Sequence, residues 1–395
     1  MNFVFISPDF PDHYYRFCQG LKNNGVQVFG IIEGNDANVS PELRNALTAW
    51  YCVTSLHDMD EKIKAIHYFE AHYGKIDFIE SNNEYWLMDD AHLRTVFSVK
   101  TGPQDKDIDV IKFKSKMKAA YHKAEIPVAR YALYENLQQA IDFAAKVGYP
   151  IVIKPDNGVG ASETHKVTNE EELRALEPSL HDTTYIMEEF VKGELISFDG
   201  LCDSKGNVVY PTHHVFPDQI MDVVNAHSDV MYYTAKEIPP AVLEAGQAVV
   251  KAFGAKSRFF HLEFFILSED HVGLGKKGDI VGLEVNMRAP GGYTPDMINF
   301  AYSIDIYQLW ADVIAFDALK HEYKGPRSYC CYVGRRFHQN YAHSFDEVAR
   351  NYVGHIKWIA NNPPIIAGAM GDYFIMADFD TVKELESFTK FVLER

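Results

Sequence analysis

Two stretches of alternating side chains, residues 259–266 and 280–288, constrain this chain more than any other feature. Successive side chains of a strand point to opposite faces. Val281, Leu283, Val285 and Met287 therefore share one face of the second stretch, and Glu284, Asn286 and Arg288 share the other. In the first stretch His261, Glu263 and Phe265 lie together, and the glycine- and lysine-rich residues 268–279 between the two predict a hairpin. Glu263 and Glu284 then face one another. Two close carboxylates repel unless a proton or a cation lies between them. A hard divalent cation with oxygen ligands, shared with substrate phosphates, removes that repulsion. Asn286 adds a neutral oxygen, and Arg288 adds a planar fork for phosphate oxygens. A half-exposed hairpin with its polar side in water would show the same pattern. The turn that follows, Ala289-Pro290-Gly291-Gly292, carries little side chain and leaves room for a ligand against the backbone.

Around this hairpin the pattern of elements predicts an α/β and α+β protein. Residues 1–102 alternate short apolar runs (3–6, 26–32, 76–79) with helical periodicity (13–21, 60–73), which predicts a parallel sheet. Thr101-Gly102-Pro103 reads as a boundary. Residues 103–182 form a second unit: a lysine-rich helix over 108–124, a strand near Tyr131, a helix over 137–147 and an apolar strand ending in Lys154-Pro155. Residues 183–325 are mostly strands with a helix over 240–253 and helices over 295–319, and 326–395 form a C-terminal extension.

Composition narrows the class. At 395 residues, two or three domains are expected, and 47% hydrophobic with 24% charged residues is enough for a real core. A formal net charge of −17 repels nucleic-acid backbones and anionic membranes, so neither is an expected partner. No apolar stretch is long enough to span a bilayer. The five cysteines form no CxxC pair, so neither a disulfide framework nor structural zinc is indicated, and the cytoplasm is the expected compartment. No leader-like basic segment precedes the first apolar run.

Two further segments carry chemistry. In 153–162, Lys154 ends an apolar strand, where a buried ammonium needs an anionic partner. Gly158 and Gly160 let backbone N–H groups approach phosphates, although a plain hairpin turn would use glycines equally well. The lysine precedes the glycines, so this is not a Walker A loop. In 185–194 an apolar strand ends in Glu188-Glu189-Phe190-Val191 and continues to Glu194, which presents backbone and carboxylates to a nucleoside or simply a solvated strand end.

A lysine helix, a strand ending Lys-Pro before a glycine loop, a Glu-Glu-Phe-x-x-Gly-Glu hinge and the Glu … Glu-x-Asn-x-Arg hairpin occur here in the order of the ATP-grasp superfamily. The chain resembles that superfamily over roughly residues 100–320, and its opening α/β alternation resembles the N-terminal pre-ATP-grasp domain. It looks most like single-unit carboxylate–amine ligases, including L-amino-acid ligases, and more distantly like biotin carboxylase and carbamoyl phosphate synthase. The resemblance implies ATP with Mg2+, or Mn2+ in its place, as cofactors. A carboxylate and an amine would be the small-molecule partners, and a homodimer is the assembly to test. It implies phosphate contacts from Lys114 and Lys154, with Lys116 competing with Lys114 because Phe113 stands where the family has Asp. Gly158, Gly160 and Ser162 would cover the phosphates. Glu188, Glu189, Phe190 and Val191 would bind adenine, and Glu194 the ribose. Glu263, Glu284 and Asn286 would hold the metal. Arg288, with Lys154, would carry the catalytic charge on the transferring phosphoryl group.

Three further residues are candidates for holding substrate. Glu84 follows a strand of the first sheet, at the carboxyl edge where open α/β sheets bind ligands, and is a candidate for a substrate ammonium. Arg335 and Arg336 end a strand and are candidates either for a substrate carboxylate, as Arg288 is, or for a surface role. His213 and His214 are not read as a metal pair among 17 histidines. Competing functions are bicarbonate activation, a catalytically silent nucleotide-binding module, and, ranked low for want of a G-x-G-x-x-G, a dinucleotide-dependent dehydrogenase.

Overall fold

Asn2–Ile6 is buried along its whole length because it is the inner strand of a parallel sheet covered on both faces. A computed structural model describes residues 1–158, 163–217 and 227–395 of the chain. The first sheet runs in the order Ala49–Val53, Gln27–Glu33, Asn2–Ile6, Phe78–Glu80, with every pairing parallel. Its carboxyl edge presents two loops, Ser7–Pro11 and Ser81–Glu84, toward the rest of the protein.

A second sheet, Tyr131–Leu133, Tyr185–Glu189, Ile151–Pro155, His165–Val167, is antiparallel and backed by the helices Leu137–Val147 and Glu170–Leu176. The largest sheet has eight antiparallel strands. In order they are Ile280–Asn286, Arg258–Leu267, Gly193–Cys202, Val208–Phe216, Val230–Thr234, Tyr329–Arg335, Tyr373–Phe379 and Ile356–Asn361. The C-terminal residues thus extend the central sheet, through the pairing of Val230–Thr234 with Tyr329–Arg335. Strands 49–53, 230–234 and 356–361 and the helix Pro364–Met370 were not among the elements expected from sequence.

Helices Thr294–Tyr302 and Ile306–Phe316 join the first unit to the large sheet. Trp310 is fully buried between them, edge-on to Phe3 and Phe5 and stacked on Phe259. The sequence predicts one lysine helix over 108–124, whereas the chain forms two, Asp109–Lys112 and Lys114–Lys123, broken where Phe113 is extended. The break has a local cause. Asp156 reaches across from the end of the lysine strand, accepting from Ser115 N and Ser115 Oγ, each at 2.7 Å. An acid from outside the helix therefore caps its first turn, where orphan N–H groups need an acceptor, and Phe113 has no capping side chain.

The lysine helix is held against the hairpin by Tyr121, whose hydroxyl donates to the carbonyls of Glu284 at 2.9 Å and Glu263 at 3.3 Å. Its ring lies where a side chain at Gly282 would project: a Cβ there would sit 2.4 Å from the ring. Glycine at 282 is what lets the helix and the hairpin meet. None of the described helices is long and apolar enough to cross a membrane.

Candidate active site

The three units converge on one cavity of about 610 Å³, within the size range of small-molecule sites. Its acidic wall is the hairpin. Glu263 pairs directly with Glu284, and His261 with Asn286. All four side chains line the cavity with Phe265 and Arg288. The face read from alternation holds for Glu284, Asn286 and Arg288, but not for Leu283 and Val281. A register shift between Glu263 and Phe264 keeps the acid pair in register, pairs Val281 with Phe265, and leaves Leu283 lining the cavity too.

The basic wall comes from the lysine helix and the strand Ile151–Pro155. Lys114 Nζ donates to the Gly158 carbonyl at 2.8 Å and lies 3.4 Å from Glu284 Oε1. Lys116 is half-exposed on the opposite side of the helix and pairs with Asp109. One turn on, Lys118 is fully buried and contacts Glu188 Oε1 at 2.5 Å. Lys154 reaches the other oxygen of the same carboxylate at 2.6 Å. Burial alone would raise the Glu188 carboxyl, but Lys118 and Lys154 outweigh it and hold it at about 2. Burial lowers the Lys118 ammonium more than Glu188 restores it. Lys154 is also opposed by burial, yet Glu188 and Glu284 together hold it above the ordinary lysine range. Lys118 was missed in the sequence, although its i,i+4 spacing from Lys114 places the two on one face of a helix.

At the strand end Glu189 is committed: its carboxylate accepts from the backbone N and the Nε of Arg130, both at 2.7 Å. Phe190 lies under Lys166 Nζ, 4.2 Å from the ring centre, and Val191 is buried. Glu188 to Val191 line the cavity. Glu194 does not. It is exposed, and strand alternation turns Leu195 and Ser197 inward in its place. Gly158 lines the cavity, while Gly160 and Ser162 lie outside the described residues.

The substrate candidates separate. Glu84 faces the cavity but is ion-paired with Arg288, so its carboxylate already has a cation. Burial opposes the Arg288 charge, and Glu84 more than restores it. Arg335 is away from the cavity. It is buried and donates to the carbonyls of Val392 and His343, each at 2.9 Å, which ties down the C-terminal helix. Arg336 is buried too, donating to Ser228 O at 2.7 Å and Gly368 O at 2.9 Å. His213 Nδ1 donates to the Ser197 carbonyl at 2.8 Å. His214 Nδ1 lies 2.6 Å from Asp199 Oδ2, and His214 is fully buried and does not line the cavity. The other oxygen of Asp199 binds His261 Nδ1, and His261 Nε2 is 3.4 Å from Glu263 Oε1. Burial disfavours the His261 imidazolium, but Asp199 and Glu263 outweigh it and raise the ring to about 10. A protonated histidine beside Glu263 was not anticipated, because Asp199 is 62 residues away in sequence.

Two facing carboxylates and one amide oxygen form a donor set suited to a small hard cation that keeps water and phosphate oxygens as its other ligands. Among the described residues no cluster of three His, Cys, Asp or Glu side chains offers a self-sufficient metal cage.

Residues 147–295 match the family of the ATP-grasp domain. That segment is similar to the ATP-grasp domain. The fold extends well beyond the matched segment. The L-amino acid ligase of Bacillus licheniformis superimposes with a TM-score of 0.72 at 15% identity, covering 98% of this chain and 96% of that one. The biotin carboxylase domain dimer of Hydrogenobacter thermophilus 2-oxoglutarate carboxylase, a complex with MgADP, ADP and bicarbonate, gives 0.67 at 17% identity over 98% of this chain and 88% of that chain. Among curated proteins, the carbamoyl phosphate synthase large chain of Clostridium botulinum is 27% identical over 198 residues, which is 49% of this chain and 18% of that protein. The L-arginine-specific L-amino acid ligase of Bacillus subtilis is 22% identical over 244 residues, 60% of this chain and 57% of that protein. The chain thus spans less than two thirds of either curated relative.

Proposed function

We propose that this protein is an ATP-grasp enzyme, an ADP-forming carboxylate–amine ligase that activates its acid as an acyl phosphate. One observation carries the reading. Glu263, Glu284, Asn286 and Arg288 line the same cavity as the lysine-lined hinge and the apolar side chains Phe216, Tyr232 and Met370. Phosphoryl transfer asks the protein for positioning and charge neutralisation at the terminal phosphate. Val152, Phe190, Val191 and Leu283 offer an apolar slot for adenine, and Lys114 and Lys154 take the phosphates. A carboxylate oxygen of the acid attacks the γ-phosphorus, and the bond to the β-phosphate oxygen breaks with its electron pair on ADP. The amine then attacks the acyl carbon, phosphate leaves, and the amine gives up a proton.

Glu263, Glu284 and Asn286 would hold Mg2+, or Mn2+ in its place, which when bound neutralises phosphate charge. Arg288, oriented by Glu84 and by donation to the Ala289 carbonyl at 2.7 Å, places its fork beside the reacting oxygens. His261, held by Asp199, fixes the Glu263 carboxylate in place. The five free cysteines suit a reducing cytoplasm, and a homodimer is the assembly we would test first.

Activation of bicarbonate uses the same catalytic centre, but gives no role to the apolar lining from Phe216, Tyr232, Ile366 and Met370. A silent nucleotide-binding module has no use for Arg288 aimed at the centre. The test is ADP release by purified protein with Mg-ATP against carboxylates paired with amines. ADP that requires both substrates is the expected result. ADP released with bicarbonate alone would contradict the reading.

The lysines are separable by ATP affinity. Lys154→Ala and Lys114→Ala should weaken binding roughly ten- to hundred-fold, the value of a lost charge-assisted contact. Lys116→Ala should leave it unchanged, because Lys116 points at Asp109. Calorimetric titration showing Lys116→Ala as the damaging change would reverse the assignment.

A further inference from the structure

We infer that the acid activated at this site carries a bulky, uncharged apolar group, bound on an aromatic and aliphatic patch next to Arg288. The inference rests on the ligase reading and names its substrate class. The turn after the hairpin links the two features. A Cβ at Gly291 would lie 3.8 Å from Arg288 Nη1, and one at Gly292 would lie 2.9 Å from Met370 Cε. An acid whose carboxylate meets the Arg288 fork therefore projects its substituent across Gly292 onto Met370. Gly292 has φ +59, a left-handed conformation, and its missing side chain is what keeps this passage open.

The patch itself is preformed. Phe216 and Tyr232 stack with ring centres 5.2 Å apart and planes 13° apart. The Tyr232 hydroxyl is engaged with Thr294 Oγ1 at 3.2 Å, and the ring offers its face. Opposite stand Ile366 and Met370, on the helix Pro364–Met370. Arg336 fastens that helix by donating to the carbonyls of Ala367 and Gly368, and the same guanidinium donates to Ser228, next to the strand that bears Tyr232. Both sides of the patch are thus held by one buried cation.

The lining charge beside this turn, Arg288, is already neutralised by Glu84. A charged substituent entering here would lose its hydration without gaining a partner. An apolar one would gain burial, and each added methylene in such a pocket is worth roughly tenfold or more in discrimination.

The experiment compares kcat/KM for ADP release across amino acids of graded side chain: alanine, leucine, methionine, phenylalanine, aspartate and lysine. 4-Methylvalerate and 3-phenylpropionate serve as amine-free counterparts. The same compounds are titrated by calorimetry onto protein holding a non-hydrolysable ATP analogue. Leucine, methionine or phenylalanine, or the matching plain acids, should exceed alanine, aspartate and lysine at least tenfold in both measurements. Ile366→Glu should erase that preference while ATP affinity stays within about twofold. Preference for a small or charged acid, or no saturable binding of any apolar probe, overturns the inference. Tight apolar binding with no ADP from any pair would support the patch and defeat the ligase reading, so the two claims fail separately.

Discussion

Replacing Arg288 by alanine should lower ADP formation about 10³-fold at saturating substrates, the scale of an arginine that stabilises a transferring phosphoryl group. Arg288→Lys should fall between the variant and the native protein, since it keeps the charge and loses the planar fork. Glu84 pairs with this guanidinium from the carboxyl edge of the first sheet. Glu84→Gln should therefore cost far less than either change, acting through the orientation of Arg288. Circular dichroism and the thermal midpoint monitor folding in each variant. Turnover of Arg288→Ala within tenfold of the native rate would remove Arg288 from the chemistry.

The second large effect is on stability. Glu188→Gln should destabilise the fold by about 3 kcal/mol, because it leaves two buried ammonium groups without their shared carboxylate. The pH dependence has a definite sign. The carboxyl is held at about 2 in the folded protein against an ordinary 4.5. Its stabilising contribution is therefore complete above about 4.5 and is lost as pH falls toward 2. The native protein should lose this contribution across that window, and Glu188→Gln should lack that part of the slope. Denaturant unfolding at pH 7 and pH 3 measures it. A variant as stable as the native protein at pH 7 would show that the lysines find other partners.

The hairpin was legible because its information is local. Alternation over nine residues fixes which face Glu284, Asn286 and Arg288 occupy, and a short connection fixes their partner strand. The same local rule exposes the error at Glu194, whose neighbour Leu195 has the inward parity. What the sequence hid is carried by distant pairings. Asp199 meets His261 across two strands, Glu84 meets Arg288 across two units, and Asp156 caps a helix that begins 42 residues before it, at Lys114. The aromatic and aliphatic patch was hidden for the same reason. Phe216, Tyr232 and Met370 come from three strand–helix segments with no shared motif, and the helix Pro364–Met370 is too short for its periodicity to stand out. Arg335 and Arg336 looked like ligand residues because a strand-terminal Arg-Arg pair shows its charge and conceals the carbonyls it meets.

The central claim is that the hairpin acids and Arg288 surround the γ-phosphate, and the nucleotide product reads this most directly. Carboxylates are activated either by phosphorylation, which releases ADP, or by adenylation, which releases AMP and pyrophosphate. Chromatography of a working reaction should show ADP and phosphate in equal amounts. Hydroxylamine supplied in place of the amine should yield the hydroxamate of the acid. AMP as the product would contradict the account, because it would put the reacting phosphorus beside the hinge instead of between Glu263, Glu284 and Arg288.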